Sequence, residues 1–96
     1  MDSIMQSTKE CYITGATDGL HKHHIFQGIR RKASDKWGCW VYLRWDWHNG
    51  TDYGVHNDPE LNMKLKQQCQ ERFEELHGRE VFIAVFGKNY LEVSNA

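Results

Sequence analysis

One segment constrains the fold of this 96-residue chain more than any other: the stretch between Asp58 and Gly78. Asp58 can accept hydrogen bonds from the first free N–H groups of a helix. Pro59 fits the first helical position, where a missing N–H costs nothing. Leu61, Leu65, Cys69, Phe73 and Leu76 then recur by four, four, four and three residues, which is one apolar stripe at helical period. The spacing predicts a helix from Pro59 to about His77, stopped at Gly78. A chain of this length buries roughly 60–65% of the surface its unfolded form exposes, so its core is modest. Cys39 to Leu43 (Cys-Trp-Val-Tyr-Leu) is the clearest strand, and Leu20 to Phe26 reads as a second strand with polar interruptions. Two strands and a long helix make the fold class α+β.

The remaining segments are less patterned. Residues 1–9 are polar and read as a flexible N-terminus, residues 10–91 as a single domain and 92–96 as a C-terminal tail. Cys11 to Gly19 suggests a short strand or knuckle, and Gln27 to Lys32 a basic loop. Ser34 is placed to cap a single helical turn over Asp35 to Trp37, with Gly38 as its stop. Arg44 to Gly54 is turn-rich, with a strong signal at Asn49-Gly50. Glu80 to Phe86 suits a short helix, although its valines and aromatics also suit a strand.

Twelve Lys and Arg against 13 Asp and Glu exclude a uniformly basic nucleic-acid-coating protein. A local basic patch survives that balance: Lys22, Arg30, Arg31 and Lys32 lie in a window, residues 19–34, without an acidic residue. Three irregularly spaced cysteines argue against a secreted disulfide framework. With no targeting segment and no membrane-length apolar run, a cytoplasmic setting without membrane association is expected.

Six histidines are the main chemical resource of the chain. His23 and His24 share a strand, where neighbours face opposite ways, so one can bind a metal while the other faces a substrate. His48 and His56 follow the second strand. Imidazole is both a ligand for borderline metals and a natural general base near neutral pH. Each of these histidines could equally be a solvated surface group. His21 and His77 read as background, His77 as a cation near a helix C-terminus.

Taken together, His23-His24-Ile25-Phe26, His48-Asn49-Gly50, Gly54-Val55-His56, the Lys/Gln-rich helix and Phe86-Gly87-Lys88-Asn89-Tyr90-Leu91 resemble small phage-encoded members of the HNH, or ββα-metal, nucleases. The resemblance spans residues 10–91. It implies a β-hairpin plus helix, extended here by a short C-terminal helix, in a host bacterial cytosol. It implies DNA as partner, a divalent metal (Mg, Mn, Ni or Zn) held by His23, His48 and His56, and His24 as general base. Asn49 is a further catalytic candidate, and Lys22, Arg30, Arg31 and Lys32 would contact phosphates.

One departure from the family stands out. Related proteins often carry a structural zinc on two cysteine knuckles, but here only Cys11 remains. The other positions are Thr14, Arg44 and Trp47. No structural zinc is expected, with Trp45 and Trp47 packing in its place, Arg44 either pairing with Asp46 or stacking on an indole, and Cys39 and Cys69 serving as core. Such a loss is also compatible with a binding protein. Exposed Trp37, Trp40, Trp45 and Trp47 would then contact a host effector such as a CRISPR nuclease and inhibit it; a DNA-binding accessory protein that does not cleave is a third reading. A homodimer is a further option for covering apolar surface.

Overall fold

The computed structural model describes residues 1–91, which form an α+β fold. The tail at 92–96 lies outside the described residues. Strands β1 (Leu20–His24) and β2 (Trp40–Arg44) pair antiparallel, with Lys22 opposite Tyr42 and His23 opposite Val41. Among the described residues four α-helices accompany this sheet: α1 (Arg31–Lys36), α2 (Trp45–His48), α3 (Pro59–His77) and α4 (Arg79–Phe86).

Helix α3 starts and stops where its sequence signals lie. The Asp58 carboxylate accepts from the N–H groups of Glu60 and Leu61, both at 3.1 Å, and Pro59 is the first helical residue. Leu65, Cys69 and Phe73 of its stripe are fully buried, while Leu76 keeps 45% of its surface in water. Phe73 packs among Trp37, Phe82 and Phe86, with ring centroids 5.3, 5.4 and 5.9 Å away. Phe26 sits on Phe86 at 4.3 Å and so joins the end of β1 to α4. The segment that admitted either helix or strand is the helix α4, because Phe82 and Phe86 at i, i+4 bury on one face.

Three local expectations are corrected. Residues 27–32 are not a loop: a 3-10 turn at Gly28–Arg30 runs directly into α1. Ser34 is not a cap but the buried centre of α1. Its hydroxyl accepts from the Phe26 N–H at 2.9 Å and donates to the Phe26 carbonyl at 2.7 Å, which locks the helix to the end of β1. Ser34→Ala strips both Phe26 groups of their partner and is expected to cost about 1–3 kcal/mol. Urea denaturation checks this, and a loss below about 0.5 kcal/mol would contradict it.

Residues 1–9 run along the outer edge of β2 rather than away from the domain. Ser3 Oγ donates to the Trp40 carbonyl, the Gln6 side-chain oxygen accepts from the Tyr42 N–H at 2.7 Å, and the Tyr12 N–H donates to the Tyr42 carbonyl at 2.8 Å. Polar side chains thereby satisfy an edge that would otherwise present unpaired backbone groups. A second polar device holds the chain's end. Gln70, fully buried on α3, donates to Asn89 Oδ1 at 2.8 Å and accepts from the Tyr90 N–H at 2.7 Å.

Candidate metal centre

Strand β1 delivers His21 and His23 to the face that also carries Val41 and Leu43, since alternate residues share a face. The chain then makes one turn of helix after β2, and its last residue is His48. Asn49-Gly50 ends that turn; it is the C-terminus of α2, not a hairpin. The following loop folds back tightly. A Cβ at Gly54 would stand 3.3 Å from the carbonyl oxygens of Asp46 and His48, so glycine permits the approach. Tyr53 packs on Trp47 with ring centroids 5.0 Å apart, and buried Val55 anchors the 3-10 turn Val55–Asn57 to the core. His56 is thereby set over His48.

The three imidazoles of His23, His48 and His56 converge. One ring nitrogen from each lies within 4.8 Å of the other two, an arrangement that could hold a metal ion. The Nε2 atoms of His48 and His56 are 3.1 Å apart. His23 keeps only 1% of its surface exposed, and its Nε2 is buried without a hydrogen-bond partner. Such an orphaned buried nitrogen costs free energy unless something binds it, which fits a ligand role. Burial, reinforced by His48 and His56, lowers the pKa of His23 to about 3. Burial, then His56 and His21, lowers that of His48 to about 4. Both rings therefore stay neutral and offer a lone pair at physiological pH. Imidazoles suit zinc, nickel, copper and iron, whereas magnesium and manganese prefer oxygen ligands.

His24 points to the opposite face of β1. Its Nε2 lies 3.3 Å from Asp35 Oδ1 on α1, and the ring borders the same cleft of about 300 Å³ as the three histidines, together with Arg31. Asp35 was not anticipated, because nothing in the sequence shows that α1 lies across β1. The basic set divides. Lys22 is neutralised by Asp35 and lies 4.3 Å from the centre of the Trp40 ring. Arg30 is spent at the end of α4, donating to the Val85 carbonyl at 3.1 Å. Arg31 and Lys32 remain beside His24 in the adjoining groove. Asn49 is exposed and does not line the cleft that the three histidines share.

His21, set aside as background, belongs to the cluster: its Nδ1 is 3.1 Å from His48 Nδ1. The available signal was its i, i+2 relation to His23. His77 packs instead against Trp37 and Phe73, with centroids at 5.1 and 4.8 Å.

Around the cysteine knuckle position, Arg44 Nε pairs with Asp46 at 3.5 Å, as anticipated. Burial raises the Cys11 thiol pKa, but hydrogen bonds from Arg44, Thr14 and Ile13 outweigh it and leave the thiol below its ordinary value. Cys39 and Cys69 are core residues, fully buried. Of the four tryptophans, Trp45 is 49% exposed, Trp40 is buried, and Trp37 and Trp47 pack against the core. Trp37 and Trp47, expected as contact residues, thus expose only part of their surface.

No protein-family model, curated protein or solved structure matches this chain. Among the described residues, no helix is long and apolar enough to cross a membrane.

Proposed function

We propose that the protein is an HNH-like, metal-dependent endonuclease that hydrolyses DNA phosphodiesters. The observation that carries this reading is the convergence of His23, His48 and His56 on a cleft that His24 and Arg31 also line. The antiparallel strands followed by α3 are consistent with a ββα core. A divalent ion held by the three histidines would act as a Lewis acid on the scissile phosphate.

The chain's own groups account for the remaining requirements. Asp35 accepts from His24 Nε2–H, which leaves the lone pair on Nδ1 to take a proton from the attacking water. A new P–O bond forms to that water, and the bond from phosphorus to the 3′-oxygen breaks, its electron pair staying on that oxygen, which takes a proton from solvent water to become the 3′-hydroxyl. Arg31 and Lys32 are placed to hold the strand through its phosphates. The alternative of a protein-binding inhibitor has less surface to use, since only Trp45 of the tryptophans is largely exposed.

Plasmid cleavage by the purified chain in Zn²⁺, Ni²⁺, Mn²⁺ and Mg²⁺ tests the proposal. His24→Ala is expected to reduce the rate by about 10²–10⁴-fold while leaving the fold intact. Wild-type protein that cuts in none of the four ions would refute the enzyme.

A further inference from the structure

The geometry points to His21 as a positioning residue of the metal centre, one that fixes the tautomer and orientation of His48 without touching the ion. The inference rests on the metal-binding reading of His23, His48 and His56, and it is independent of whether the site cuts DNA. The two ring nitrogens of His48 have different neighbours. Nε2 faces Nε2 of His56, a fellow member of the convergent group, at 3.1 Å. Nδ1 faces His21 Nδ1, also at 3.1 Å, on the other side of the ring. The His21 and His48 rings meet nearly edge-on, at 83° with centroids 5.3 Å apart. His21 is therefore beyond the ligand face and is not one of the convergent group.

Proton bookkeeping on these rings follows from their chemistry. A neutral imidazole carries one N–H and one lone pair. Once His48 Nε2 is used as an electron-pair donor, the ring proton must sit on Nδ1. That N–H needs an acceptor, and His21 Nδ1 is at hydrogen-bond distance. His21, an exposed residue, then carries its own proton on Nε2. The bond holds the His48 ring in plane and raises the basicity of its ligand nitrogen, the two effects expected of an outer partner to a metal-bound histidine. Strand period places His21 for this role: it is two residues before His23, on the same face, so one strand supplies both an inner ligand and an outer orienter.

The test uses the full chain stripped with chelator and then titrated with Zn²⁺ or Co²⁺. Affinity is read by chelator competition, and ligand geometry by the visible absorption of Co²⁺. His21→Ala is expected to weaken binding by about 10–100-fold, with one ion per chain and an unchanged Co²⁺ band shape. His21→Gln retains an acceptor oxygen and is expected to recover most of the loss. The exposed position of His21 predicts no change in the urea midpoint of the metal-free protein. His21→Ala affinity within twofold of wild type would overturn the positioning role. A changed Co²⁺ spectrum would overturn it differently, by making His21 a ligand. Wild-type protein that takes up neither ion removes the metal centre itself, and the inference with it.

Discussion

Phe73→Ala is expected to cost about 3–5 kcal/mol of folding free energy, the range for emptying a fully buried phenylalanine site. Phe73 has no exposed surface, and its ring is bounded by Trp37, His77, Phe82 and Phe86. These neighbours belong to four places in the chain: the end of α1, the last turn of α3, and two turns of α4. Their backbones are held by separate contacts, so they cannot close together over the void. A domain of this size has about 5–14 kcal/mol of total stability, so one truncation removes a large share. Urea denaturation followed by tryptophan fluorescence measures it, with Trp37 as a probe in contact with the altered site. Leu76→Ala, on the same stripe but 45% exposed, is the control and is expected to cost under about 1 kcal/mol. Similar losses for the two variants would mean that the core is not centred on Phe73.

The contrast between Phe73 and Leu76 shows what the sequence could reveal. Helix α3 was legible because its determinants are local: Asp58 and Pro59 at one end, Gly78 at the other, and a stripe between them. Which end of the stripe is covered depends on where α4 and α1 pack, and that is not local. Helix α1 is only partly legible for a related reason: a turn over Asp35 to Trp37 captures its end and not its start at Arg31. Its N-cap, Arg30, makes no side-chain capping bond, and its one fully buried residue is a serine. Tertiary contacts hold it, through Ser34 on Phe26 and Trp37 on Phe73, so neither propensity nor periodicity marks it. The N-terminal segment read as loose because it is polar, yet Ser3 and Gln6 use that polarity to complete the edge of β2.

The candidate site divides along the same line. His23, His48 and His56 were legible as chemistry, because few residue types bind metals and these recur near two strands. Asp35 and the fate of Lys22 were not, because both depend on α1 crossing β1. The tryptophans were equally opaque: composition counts indoles and cannot separate Trp45 on the surface from Trp40 beneath the N-terminus.

Lowering the pH from 7 to 5 in the absence of metal is expected to remove about 2 kcal/mol of stability through His23 alone. The direction follows from where the proton binds. Burial, with His48 and His56 beside it, lowers the folded-state pKa of His23 to about 3, whereas an unfolded chain titrates near 6.5. Between those values the unfolded chain carries a proton that the folded chain rejects. Stability therefore rises with pH across this window, by about 1.4 kcal/mol per unit, and is fully present above about pH 7. His48, lowered to about 4 chiefly by burial, acts in the same direction. Asp35, lowered chiefly by its bond from Lys22, loses its contribution as pH falls into the carboxylate range, so the interval from pH 7 to 5 isolates the histidines. Urea midpoints across that interval give the slope, and His23→Leu is expected to flatten it because leucine does not titrate. A wild-type midpoint constant from pH 7 to 5 would mean that His23 is not held neutral by the fold. Saturating Zn²⁺ is expected to raise stability at pH 7 and to steepen its fall with acid, since an ion bound to the folded chain stabilises it and protons compete for the same nitrogens.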